Sequence, residues 1–289
     1  MEKILKAGGA SGVADTLGGE LISYKKDGRE YIWYGDAAHW SGHAPVLFPF
    51  VSALKNGKVK FGGREYEMKA KHGFARKSEF ELVSSSDTTV VYRLSSNTET
   101  LAMYPFDFEL LVEHTIGENG YSTKYTVKNT GKTEMPFCIG GHPGFTTDGS
   151  IEDWKLIFET DEDCALYYTD AESLFSDGYV YEGRRISGSE FDFKYDDFDL
   201  DALVAPVIKS RRVKLVKKSD GHGIIFDYTG FSTLVLWSPP KKQSPFVCLE
   251  PWNGLPAYTN ESGEFTDKPG AITLDPGKSY TVGYSVTVI

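Results

Sequence analysis

Three short segments gather titratable side chains among glycine, proline and aromatic residues, away from the alternating faces of strands. They are His72-Gly73-Phe74-Ala75-Arg76, Gly140-Gly141-His142-Pro143-Gly144-Phe145 and Phe246-Val247-Cys248-Leu249-Glu250-Pro251-Trp252; in the last, Glu250 follows an apolar strand. A carboxylate and imidazoles drawn to one place can do general acid–base work, provided geometry and pKa suit. Trp252, close to Glu250, offers an aromatic floor for a sugar. Each signal also has a plainer reading. A histidine in a Gly-Pro turn is more often structural. A glutamate at a strand end is often solvated or paired, with Arg76 as a ready partner. A tryptophan after proline is usually core or rim.

The elements that must position these segments are strands. Phe106, Phe108, Leu110 and Val112 alternate with Asp107, Glu109, Leu111 and Glu113. Tyr121, Thr123, Tyr125 and Val127 repeat the pattern, as do Tyr280, Val282, Tyr284, Val286 and Val288 at the C-terminus. Successive strand side chains point to opposite faces, so each run has one buried face. Further strands are expected at Val90–Leu94, Gly223–Tyr228 and Thr233–Trp237. Asp27-Gly28, Asn56-Gly57, Asn119-Gly120, Thr130-Gly131, Asp220-Gly221 and Asp275-Pro276-Gly277 supply turn chemistry between them. No helical stretch exceeds a few turns, and no linker or repeat divides the chain. The expectation is an all-β sandwich or barrel in one domain over residues 1–289.

Composition narrows the function classes. Net charge is −10 with no compensating basic run, which argues against nucleic acid and anionic membrane surfaces. No window approaches the roughly 18 apolar residues of a membrane span. The N-terminal Met1-Glu2-Lys3-Ile4-Leu5-Lys6 lacks a signal-peptide core. Cys138, Cys164 and Cys248 are too few and too far apart for a disulfide framework or a zinc site, and read as reduced thiols of a cytoplasmic protein. Dinucleotide, P-loop and nucleophile-elbow motifs are absent. His39 and His43 have the spacing of a helical metal pair, but Gly42 and Pro45 speak for a loop.

A set of fragments runs in order along nearly the whole chain: Gly18–Tyr24, Tyr31–Asp36, Trp40, Ala44–Phe50, Gly62–Met68, His72–Arg76, Tyr104–Phe106, Met135–Phe145, Asp201–Val204 and Phe246–Gly254. In these the chain resembles the aldose 1-epimerases (galactose mutarotase-like), in their LacX-like branch and near the hexose-6-phosphate mutarotases. The resemblance implies a large antiparallel β-supersandwich with few short helices and an open sugar cleft. It implies interconversion of the α and β anomers of an aldose or sugar phosphate, with no cofactor and no metal, by a monomer or homodimer. It makes Glu250 the general base and His142 the general acid. His72 assists at the ring oxygen, Arg76 binds the sugar or an attached anion, and Asp201 binds a hydroxyl beside Trp252.

One stretch departs from the family pattern. Where a Gly-Arg pair is common after Leu-Phe-Pro, this chain has Ser52 and Ala53, with Lys55 and Lys58 as nearby cations. Losing a guanidinium removes up to five directional donors from a polar cleft. A sugar-binding or regulatory protein on the same fold therefore stands beside the enzyme reading. So does a different carbohydrate enzyme, for which Glu250 and Asp201 are the available carboxylate pair.

Overall fold

The computed structural model describes residues 1–169, Phe175 and 182–289. It is 52% strand and 8% helix. An N-terminal meander of four antiparallel strands, Glu2–Ala7, Ala10–Asp15, Glu20–Lys26 and Arg29–Glu30, precedes a 15-stranded antiparallel sheet. Asp27 and Gly28 take φ of 50° and 81° between the last two strands of the meander. Those values suit a two-residue hairpin turn, as the Asp-Gly pair predicts.

Alternation explains the half-buried strands. In Phe108–Gly117 the side chains of Phe108, Leu110, Val112, His114 and Ile116 are buried, while Glu109, Leu111, Glu113 and Thr115 are less so. This strand starts at Phe108, not at Phe106 as alternation alone suggests: Pro105 has no N–H to donate, and the Phe106 amide donates back to the Tyr104 carbonyl at 2.8 Å instead of to a neighbouring strand. It pairs with Gly120–Asn129, which pairs in turn with the C-terminal Ser279–Val288. The only α-helix among the described residues is Thr98–Met103. Asn97 caps it, accepting from the Glu99 and Thr100 amides at 2.9 and 3.0 Å.

The long strand Trp154–Tyr168 has three partners, with Glu182–Asp192 along one edge and two shorter strands along the other. Its first part pairs with Arg212–Lys217 and its end with Leu203–Ala205. Against Glu182–Asp192 the register shifts between Ile157 and Glu162, an irregularity in the middle of the strand. Glu162 is buried there and accepts from the Ser210 amide, the Ser210 hydroxyl and the Lys209 amide at 2.7, 2.6 and 3.1 Å. Leu203–Ala205 pairs with Thr233–Trp237, and that strand with Phe246–Asn253. Through these pairings the sheet carries Glu250 into the interior. One buried apolar cluster includes residues from Leu5 to Val286.

Candidate active site

Glu250 stands within the strand Phe246–Asn253, every residue of which is buried. The expectation that it follows an apolar strand is corrected: the strand continues past it, with Val235 opposite on one side. On the other side run Ile139–Gly141 and Gly144–Thr146. Gly140 pairs with Trp252 and Gly144 with Cys248, so one register spans the gap and sets His142 across from Glu250. His142 Nε2 lies 3.2 Å from Glu250 Oε1. The glycines here are steric necessities. A Cβ on Gly140 would meet Trp252 Cδ1 at 2.6 Å, and one on Gly141 would meet Tyr284 Cε1 at 2.9 Å.

His72 reaches the same place from a loop. Its backbone is left-handed at φ 65°, and Gly73 follows at φ 71°. A Cβ on Gly73 would lie 2.1 Å from the Phe48 carbonyl oxygen, so only glycine fits the turn. The His72 amide donates to the Ser52 carbonyl at 2.6 Å, and the Ser52 amide donates to His72 Nδ1 at 3.0 Å. An amide can only donate, so Nδ1 is the acceptor and neutral His72 carries its proton on Nε2. The His72 ring stands 5.5 Å from the His142 ring and 5.8 Å from that of Trp252.

These residues line one pocket of about 630 Å³, including its open mouth, together with Arg76, Asp201, Trp40, Trp237, Lys71, Ser52 and Thr169. That size suits a small ligand. Arg76 makes no ion pair within 4 Å among the described residues, and its Nε is buried without a partner, so the expected pairing with Glu250 or Asp201 is not seen. Asp201 instead accepts from Trp237 Nε1 at 3.1 Å and faces Lys71 Nζ at 3.5 Å. Trp252 is only 2% exposed, so it forms a wall against His72, and the less buried indoles are Trp40 and Trp237. Lys55 and Lys58 do not replace the missing arginine. Lys55 donates to the Thr259 carbonyl, and Lys58 pairs with Glu65 at 2.7 Å. The pocket's second cation is Lys71, which spacing did not single out.

Burial dominates the electrostatics. It pushes the Glu250 carboxyl well above its usual range, with Asp201 adding to the effect; the nearby Trp252 indole N–H and Arg76 oppose it. The Trp252 N–H closes no hydrogen bond of sound geometry. Burial also lowers His142 to about 3, with Arg76 contributing. His72 is held well below its ordinary value by burial, then by His142, Arg76 and Lys71. Protein packs closely around the His72 ring, yet part of the residue stays accessible from the pocket. The remaining histidines lie elsewhere. His39 Nδ1 contacts Ser244 Oγ at 2.8 Å, and His43 Nδ1 lies 3.7 Å from Glu20, on turns and not on a helix.

A carboxyl and an imidazole 3.2 Å apart, with a second imidazole and a guanidinium at the rim, can exchange protons with a bound polyol. The chain is similar to known proteins along its whole length. The sequence pattern of the family described as Aldose 1-epimerase matches residues 4–287. Protein LacX (plasmid form) of Lactococcus lactis subsp. lactis is 35% identical over 285 residues, 95% of each chain. The galactose mutarotase related enzyme of Lactobacillus acidophilus superposes with a TM-score of 0.92 at 27% identity, over 100% of this chain and 97% of that one. A galactose mutarotase-like protein of Lactobacillus casei gives 0.88 at 27% identity, covering all of both chains. By the match to the family pattern over nearly its whole length and by these similarities, the chain belongs to the aldose 1-epimerase family.

Proposed function

We propose that this protein is a cofactor-independent aldose 1-epimerase, acting as a single domain, with Glu250 as base and His142 as acid. The observation that carries the reading is the 3.2 Å approach of the two groups inside a polar, aromatic-walled pocket. Glu250 takes the proton of the C1 hydroxyl while His142 gives one to the ring oxygen. The C1–O5 bond breaks, the aldehyde turns about C1–C2, and closure on its other face returns both protons. Throughout, the pair holds one proton in total: carboxylate with imidazolium before opening, carboxylic acid with neutral imidazole after it. Burial favours the second form and so stabilises the state facing the open-chain sugar. His72 Nε2–H donates to the ring oxygen, Arg76 and Asp201 hold hydroxyls, and Trp252 walls the sugar's reacting end. The free, buried thiols of Cys138, Cys164 and Cys248 fit a reducing compartment such as the cytoplasm.

NMR measurement of anomer exchange at saturating aldose tests the reading. Activity fails in acid only when a second proton enters the pair. Since His142 lies near 3, turnover holds as pH falls through 6.5 toward about 4.5. A loss of half the activity near pH 6.5 would mean that His142 titrates as a solvated imidazole, against its burial. Arg76→Lys keeps charge but loses the planar fork. It raises KM roughly tenfold, the range of a hydrogen bond to a charged group, and changes kcat much less. An unchanged KM for neutral and phosphorylated sugars removes Arg76 from the binding site. The specific observation favouring a non-catalytic sugar-binding protein is Ala53, which leaves Arg76 as the pocket's one guanidinium among the described residues.

A further inference from the structure

We propose that Trp40 is a positioning residue for His142, its indole face holding the imidazole in plane and favouring its charged form. This rests on the reading of His142 as the acid. An imidazole that moves protons is usually oriented through its second nitrogen, by a carboxylate or a carbonyl. Among the described residues the His142 ring has no such partner of sound geometry: Nδ1 is buried and closes no hydrogen bond, and only its own backbone carbonyl lies near enough to pull its pKa upward. Aromatic rings surround it instead. The Trp40 ring lies 4.8 Å away and nearly parallel, at 29°. Trp237 stands at 5.4 Å and 76°, and His72 at 5.5 Å and 88°. An indole face within about 6 Å of a cation attracts it, most strongly where water is excluded.

The placement of Trp40 is built into the fold. The Trp33 indole N–H donates to the Trp40 carbonyl at 2.7 Å, and the Trp40 amide donates to the Asp36 carbonyl at 2.8 Å. Gly42 gives the indole room: a Cβ there would meet Trp40 Cζ2 at 2.5 Å. Behind, Trp33 stacks on Phe246 at 4.3 Å and Phe246 on Trp40 at 5.8 Å, so a run of aromatic faces ends on His142. The Trp40 ring is half-buried and packs against the cluster of Trp33, Phe246 and Cys248.

The test is turnover at saturating aldose for Trp40→Phe and Trp40→Met, with and without His142→Asn, alongside thermal midpoints. Trp40→Phe keeps a π face and retains most of the wild-type kcat. Trp40→Met keeps bulk and loses the face, and lowers kcat about tenfold, in the range of a cation–π contact to a desolvated cation. In the His142→Asn background both changes leave the residual rate alone, since Trp40 acts through His142. Equal kcat for the Phe and Met variants overturns the proposal, as does an undiminished Trp40→Met effect in the His142→Asn background. A rise in KM with constant kcat makes Trp40 a sugar platform and also overturns it. Near-wild-type turnover in His142→Asn alone defeats the acid assignment itself, a result separate from any of these.

Discussion

Glu250→Gln lowers anomer exchange by at least about a hundredfold while sugar affinity falls far less. General acid–base groups typically contribute about 10²–10⁴-fold each. The substitution keeps size and shape and removes basicity. It is also gentle on the fold, because Glu250 is 1% exposed and burial already favours its uncharged form. The neutral amide replaces a group that gains little stability from its charge, so the thermal midpoint stays near wild type. His142→Asn has a comparable effect on turnover, and the double variant loses little more, because both residues serve one proton-transfer sequence. If Glu250 merely accepted a hydroxyl hydrogen bond, Glu250→Gln would weaken binding and leave the turnover of bound sugar nearly intact.

The second large effect concerns the core and not the pocket. His114 is 1% exposed on the strand Phe108–Gly117. Its Nε2 lies 2.8 Å from the Gly19 carbonyl oxygen, which can only accept, so Nε2 carries the proton. Nδ1 then accepts from the Thr123 hydroxyl at 3.0 Å. Both nitrogens are satisfied in the neutral ring, and burial lowers its pKa from 6.5 to about 4, against weaker upward pulls from Gly19, Glu20 and Glu113. As pH falls, the unfolded chain binds this proton first. The stability contributed by neutral His114 is therefore whole above pH 6.5, declines down to about 4, and is flat below. The shift corresponds to about 3 kcal/mol, or somewhat over a hundredfold in the folding equilibrium. Urea unfolding of wild type and His114→Gln at several pH values isolates it, since the glutamine cannot charge. The stability advantage of wild type shrinks by about 3 kcal/mol between pH 6.5 and 4. A constant advantage over that range would show that His114 is not held neutral by burial.

The sheet was legible wherever one face of a strand is buried and the other is wet. The runs around Leu110, Tyr125 and Val282 alternate cleanly, and they pair as neighbours. The same period, continued past Val112, points His114 inward, where it is buried. Where both faces are buried the signal disappears. Phe246–Asn253 has no wet face, so nothing in its pattern says that Glu250 is inside the strand. His72, His142 and Glu250 were visible as residue types in unusual company, but their meeting is a matter of register and of the Gly73 turn. Trp40, Trp237 and Lys71 carried no spacing signal. Trp237 reads as the last residue of a strand, and Lys71 as one exposed cation among many. Ala53 marked a lost guanidinium, but sequence proximity pointed to Lys55 and Lys58, whose partners lie outside the pocket.

Whether the protein turns over anomers at all is decided by polarimetry of freshly dissolved α-glucose and α-galactose with the wild-type protein. The approach to the equilibrium rotation accelerates in proportion to protein concentration for at least one of these sugars or a 6-phosphate. The acceleration survives exhaustive chelation and dialysis. Sugar binding by calorimetry with no acceleration, for any aldose or aldose phosphate, would contradict the epimerase reading and leave a non-catalytic sugar-binding protein on this fold.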